Sequence, residues 1–184
     1  MSTNNDQLLE VYLQEYQKLK EEQISRIGFR DNLLYVTLAV FGAVLSFALT
    51  QTVSYYALLV LPWVCLILGW AYLINDEKIS AIGKYIRLKL TDKVMQLTGS
   101  PDLETTFGWE IAHRSDKRRS RRKIEQLIID EITFVISGIA AVVAFWLLTS
   151  QISLAIQILC VVEALLLIVL GIEIFIYADL AKGR

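Results

Sequence analysis

Histidine and cysteine are scarce in this sequence: His113 stands alone, and Cys65 and Cys160 are the only thiols. The histidine has no second ligand at metal-binding spacing, and both cysteines lie inside apolar runs. Neither a zinc constellation nor an exposed disulfide framework is therefore expected, and the thiols read as small buried packing groups. The glycine-rich phosphate loop, the nucleophile elbow and the zinc-protease helix are also missing, so the chain reads as a non-enzyme without a cofactor. The nearest thing to a metal site is the stretch "NDEK" at 75–78. Its oxygens can hold a divalent ion loosely, but it lacks the calcium-loop pattern and implies no particular metal. Residues 1–30 are polar and acidic, without the basic stub and apolar core of a secretory signal.

Charge is thin as well. Only 20% of the 184 residues are charged and the net charge is −1, while 55% are apolar and gathered in blocks. Four runs, at 33–50, 55–74, 132–148 and 152–177, approach or exceed the roughly 20 helical residues that a bilayer crossing takes. They must be helices, because an open sheet edge is unsatisfied in lipid and the runs lack the alternation of a barrel strand. None contains Lys, Arg or His. The links at 50–54 and 149–151 are short and uncharged, so the spans form two hairpins. Of the 18 basic residues, four precede Asp31, twelve fall between 75 and 130, and two are Lys182 and Arg184. The positive-inside bias then puts both termini and the central segment on the cytoplasmic side of an inner or plasma membrane.

The fold class that follows is all-α and polytopic: two transmembrane hairpins with cytoplasmic helical extensions. The chain divides into a cytoplasmic amphipathic helix at 1–32, hairpin one at 33–74, a cytoplasmic helical segment at 75–131, hairpin two at 132–178 and a tail at 179–184. Leu9, Tyr12, Leu13, Tyr16, Leu19, Ile24 and Ile27 recur at helical spacing, so the first helix is expected to run unbroken through Gly28 into the first span. Ile79, Ile82, Ile86, Leu90 and Val94 or Leu97 share a face of the helix after span two, which packs on its neighbours or lies among headgroups. Ser100 and Pro101 mark a turn and a new helix start. A basic helix then runs into span three. "DNLLYV" at 31–36 and "DEITFV" at 130–135 echo one another, a hint of a duplicated plan.

Small residues suggest where spans meet, since close approach rather than greasiness drives association in lipid. They are Gln157, Ala164, Gly171 and Ala178 on span four, Ser137, Gly138 and Ala141 on span three, and Ala39, Gly42, Ala43 and Ser46 on span one. Pro62 is expected to kink or locally adjust span two. Tyr55, Tyr56 and Trp146 fit anchors at the outer interface, and Tyr35, Trp70, Tyr72 and Tyr177 at the inner one.

Two carboxylates interrupt span four. Counting from residue 152 at roughly 1.5 Å per residue, Glu163 lies about 17 Å and Glu173 about 32 Å along the helix. In a core of roughly 30 Å the first is near the midplane and the second near the cytoplasmic face. A charge at the centre costs at least about 2.5 to 3.5 kcal/mol. Glu163 is therefore an ion or proton site, a neutral acid donating to a carbonyl or to Thr37, Ser46 or Ser137, or half of a pair with another chain. Glu173 can reach headgroup water, Arg26, Arg30 or Lys182. Gln157 joins the two glutamates as an ion-pathway candidate. Asp31, Asp76, Glu77, Asp130, Glu131 and Asp179 either form an acidic vestibule with Glu173 or neutralise the neighbouring bases. The run Lys117, Arg118, Arg119, Arg121, Arg122 and Lys123 suits anionic lipid headgroups or a partner protein. It lacks the aromatic interleaving of a nucleic-acid platform.

Three stretches, "RIGFRDNLLYV" at 26–36, "PWVCLILGWAYLINDEKISAIGKYIR" at 62–87 and "FGWEIAHRSDKRRSRRK" at 107–123, resemble a family of small bacterial four-span membrane proteins with no assigned function. The resemblance implies no chemistry, but it implies a cytoplasmic-side cluster of Arg30, Asp31, Asn75, Asp76, Trp109 and Glu110. The expected function is a cation-conducting channel built as a homo-oligomer. The alternative is a non-conducting scaffold or accessory subunit that docks a cytoplasmic protein. Solute or proton-coupled transport ranks below both, because a second buried ionisable group and broken helices are missing.

Overall fold

The computed structural model describes residues 2–48, 50, 55–99, 106–108 and 118–178. Four of its helices are long and apolar enough to cross a membrane, at Asn4–Ala48, Tyr55–Thr98, Arg119–Leu148 and Leu154–Tyr177. The chain is an all-α, four-span membrane protein. Among the described residues there is no strand.

Helix α1, Ser2–Ala48, runs for 47 residues without a break. It contains no proline, and Gly28 and Gly42 have nothing within 4 Å that would press on the helix. The expected single rod is what forms. A 3₁₀ turn at Tyr55–Leu59 leads into α2, Val60–Tyr85. Pro62 therefore sits in the first turn of α2, directly after this 3₁₀ lead, which is the anticipated local adjustment. A π-helical stretch at Ile86–Leu90 joins α2 to α3, Thr91–Thr98. Gly99, at φ +65, closes α3 in the left-handed conformation that glycine adopts without strain. Helix α4, Arg119–Asp130, continues through a second π-helical stretch, Glu131–Ile136, into α5, Ser137–Leu148. Helix α6 is Leu154–Tyr177. Ser100 and Pro101 lie outside the described residues.

The chain divides into two compact units, one of residues 1–29 and 75–120, the other of residues 30–74 and 121–184. In the first, α1 and the far half of α2 run antiparallel. Arg26 Nη1 donates to Asn75 Oδ1 at 3.3 Å, Gln23 Nε2 to the Ile79 carbonyl at 3.3 Å, and the Tyr85 hydroxyl to Glu15 Oε1 at 2.7 Å. Further along, Lys93 Nζ stands 5.2 Å from the Tyr12 ring centre and 5.9 Å from that of Tyr85. The apolar face anticipated on this helix is used for packing: Ile86, Leu90 and Val94 are buried.

The second unit is the bundle. Its core has two apolar groups. One gathers Leu33, Cys65, Leu66, Tyr72, Phe134, Leu167 and Leu170; the other gathers Leu58, Leu61, Ala141, Val142, Phe145 and Cys160. Three glycines let the helices approach closely. A Cβ on Gly69 would stand 2.7 Å from Leu170 Cδ2 and 3.1 Å from Phe134 Cβ, and one on Gly138 would stand 2.8 Å from Leu167 Cδ1. At Gly171 it would meet Glu131 Oε2 at 3.1 Å.

Several sequence expectations change here. On α6 the buried line is Cys160, Glu163, Leu167, Leu170, Gly171 and Ile174, so of the proposed small-residue seam only Gly171 is fully buried. Its other members, Gln157, Ala164 and Ala178, are half-buried. On α5, Gly138 and Ala141 pack inward as expected. On α1, Ala39, Gly42, Ala43 and Ser46 face outward, and the buried face is Leu33, Thr37 and Ala48. Tyr72 belongs to the core and is no interface anchor, whereas Trp70, Trp146 and Tyr177 point outward. The echoed stretches are not equivalent: Tyr35 is 70% exposed, and Phe134, its counterpart, is 0% exposed. The π-helical stretch after Asp130 has no parallel after Asp31 and shifts the inward face.

Candidate functional site

Glu163 lies in the middle of α6, one turn from Cys160 of one apolar group and one turn from Leu167 of the other. Its residue surface is 0% exposed, and among the described residues neither carboxylate oxygen has a hydrogen-bond partner. The Trp63 indole is the donor that faces it, at a geometry looser than a hydrogen bond. The hydroxyls considered from the sequence are engaged or elsewhere. Thr37 donates to the Leu33 carbonyl at 2.8 Å, Ser137 donates to the Thr133 carbonyl, and Ser46 is exposed. An unpartnered buried carboxyl costs about 1 to 3 kcal/mol, more if charged. A stability argument does not explain its presence.

A small polar contact joins α2 to the helix of span three. Cys65 Sγ lies 3.7 Å from Ser137 Oγ and 3.9 Å from the Thr133 carbonyl. Cys65 Cβ and Leu167 both pack against Gly138, and Leu167 is one helical turn from Glu163 on α6. Glu131 is half-buried against Gly171.

A polar cluster closes that end. The Tyr72 hydroxyl accepts from Gln126 Nε2 at 3.2 Å, and its own proton faces the buried carboxylate of Asp130. The Arg30 guanidinium stands 5.8 Å from the Tyr72 ring centre and pairs with Asp31 at 3.0 Å. Three helices, α1, α2 and α4, supply these groups. Gln126 and Asp130, four residues apart on α4, share one face. That spacing is legible in the sequence, but it gains meaning only once Tyr72 is known to point inward.

The remaining candidates belong to several helices. Glu173 is half-buried on α6, and its proposed partners Arg26 and Arg30 are engaged by Glu22 and Asp31. Gln157 Nε2 donates to the Ile152 carbonyl at 3.2 Å, so its amide serves the start of its own helix rather than a polar stripe toward Glu163. Of the acidic vestibule, Asp31, Asp130 and Glu131 fall in the bundle unit, while Asp76 and Glu77 fall in the other. Of the residues grouped by the resemblance, Arg30 and Asp31 belong to the bundle unit and Asn75 and Asp76 to the other. Asp179, Lys117, Trp109, Glu110 and Lys182 lie outside the described residues. Arg118 and Arg122 are exposed, and Arg121 pairs with Glu125 at 2.7 Å; Arg119 and Lys123 are half-buried. Among the described residues no group of three or more His, Cys, Asp or Glu side chains could hold a metal ion.

No family model, curated protein or solved structure matches this chain. Its reading rests on this geometry.

Proposed function

We propose that this four-span protein conducts cations across a bacterial inner membrane, with both termini and the Asp130 end of the bundle on the cytoplasmic side. The observation that carries the reading is Glu163: an acid at mid-span, fully buried, with both oxygens unpartnered. Intramembrane ionisable groups are expensive and mark ion or proton pathways. Asp31, Asp130 and Glu131 gather cations at the inner end, and Glu173 adds charge on α6. A bundle this small conducts more readily as a homo-oligomer. The outward small-residue face of α1, Ala39, Gly42, Ala43 and Ser46, suits contact between copies in lipid. Arg118, Arg119, Arg121, Arg122 and Lys123 would hold anionic lipid headgroups. No step of this function is catalytic.

The test is cation flux into liposomes carrying purified protein, wild type beside Glu163→Gln, with folding checked by circular dichroism. Flux in the wild type that is lost in the variant is the expected result. Absence of flux from both folded proteins removes the conduction reading. One observation favours a second reading, a scaffold docking a cytoplasmic protein: Val11 and Ile24 on α1 of the first unit are large, apolar and exposed. Under that reading, changing these side chains would abolish partner binding while Glu163→Gln left it intact.

A further inference from the structure

The oxygens around Glu163 constrain what it can bind. A metal cation leaving water needs about six oxygen ligands to replace its hydration shell. Glu163 offers two; among the described residues the Trp63 indole N–H is the polar group that faces them, a donor and no cation ligand, and the helix neighbours of Glu163 facing the core are Cys160, Leu167 and Leu170. No lysine, arginine or histidine lies in the spans to neutralise it. A proton needs no further ligand: it converts the carboxylate to a neutral acid, the form that an apolar surround favours.

The bundle also has a route by which a proton could arrive. From Glu163 to Gly171 is about 12 Å along α6 at roughly 1.5 Å per residue, and Glu131 lies against Gly171. On the neighbouring helices Cys65, Ser137 and the Thr133 carbonyl are in mutual contact, and Gly138, next to Ser137, packs on Leu167, which lies between Glu163 and Gly171 on α6. Beyond Glu131 is the buried Asp130, facing the Tyr72 hydroxyl. The Arg30–Asp31 pair and Gln126 complete that end.

We infer that the cation Glu163 takes is a proton, delivered from the Asp130–Tyr72 end by way of Glu131 and the Ser137–Cys65 contact. The inference rests on the conduction reading for its transport role, but the binding claim stands by itself. The step is proton transfer only: a proton leaves a hydroxyl, carboxyl or bridging water on the Glu131 side and joins a Glu163 carboxylate oxygen. No other bond is broken or made.

Two measurements on the full-length protein decide it. In the first, liposomes with a clamped potassium potential report internal pH by a trapped dye, and parallel vesicles report rubidium and sodium uptake. Acidification without metal uptake, lost in Glu163→Gln, slowed in Ser137→Ala and unchanged in Glu125→Gln, is the expected result. Rubidium or sodium uptake without acidification overturns the proton assignment and leaves conduction standing. The second is the infrared carbonyl band of a protonated carboxyl, followed through a pH titration of wild type and Glu163→Gln. A band present at neutral pH in the wild type alone supports the proton site even where neither ion moves, in which case conduction is what fails. If the two spectra are identical across the titration, the proton site is overturned whatever the flux.

Discussion

Glu131 Oε2 lies 3.1 Å from the point where a Cβ on Gly171 would stand, and the two Val135 methyls lie 3.3 Å from it. The acid and the glycine are on consecutive spans, and the absence of a side chain at Gly171 allows their close approach here. Glu131 is the first residue of the π-helical stretch.

Gly171→Ala should therefore force both Glu131 and Val135 to yield by a few tenths of an ångström. Overpacking of this kind costs typically about 1 to 3 kcal/mol. A lower thermal midpoint in detergent is expected, with Gly171→Val lower still. Equal midpoints for wild type and Gly171→Val would mean that α6 does not pack on the Glu131 stretch.

Tyr72→Phe removes the acceptor for Gln126 and the donor facing Asp130, leaving buried polar groups short of a partner. The expected loss is about 1 to 3 kcal/mol. Tyr35→Phe, on an exposed ring of the same bundle, should change stability by less than about 0.5 kcal/mol. Thermal melts of the two variants side by side check this; equal effects would place Tyr72 at the surface, where its sequence position first put it.

Gly28 sits inside α1 with nothing within 4 Å of its missing Cβ. Gly28→Ala should stabilise the rod by about 0.5 to 1 kcal/mol through reduced backbone freedom in the unfolded chain. Gly28→Pro should cost about 3 kcal/mol by removing a helix hydrogen bond and clashing with the preceding turn. Helicity by circular dichroism and melting report both; an Ala variant no more stable than wild type would argue that α1 breaks there.

Much of this architecture could be read in advance because bilayer physics leaves few options. Long apolar runs must be helices, and the absence of proline between 1 and 48 lets one helix span the whole stretch. Which way a given side chain faces was far less legible. A π-helical turn moves the inward face by a residue, so Phe134 is buried where its apparent counterpart Tyr35 is exposed. Small residues were a divided guide: Gly69, Gly138 and Gly171 make close contacts, whereas Gly42 makes none within the chain. For the candidate site, Glu163 stood out by charge alone. Tyr72 and Gln126 did not, since a tyrosine near a span end and a glutamine on a basic helix are ordinary until folding joins them.

Glu163 also supports a prediction that separates function from structure. A buried acid that held the bundle together would be missed when removed. Here both oxygens lack partners, so replacing the carboxyl with an apolar group of similar size removes a desolvation penalty and breaks no hydrogen bond. Glu163→Met should therefore raise stability, by about 1 to 3 kcal/mol if the full penalty is recovered, while conduction is lost. Gain of stability with loss of activity is the pattern of a residue kept for its chemistry. The comparison requires thermal melts and flux on the same preparations of wild type, Glu163→Gln and Glu163→Met. A destabilised Glu163→Met would instead indicate that the carboxyl has a structural partner, supplied by another copy of the chain or by ordered water, and would weaken the case for an ion site at mid-span.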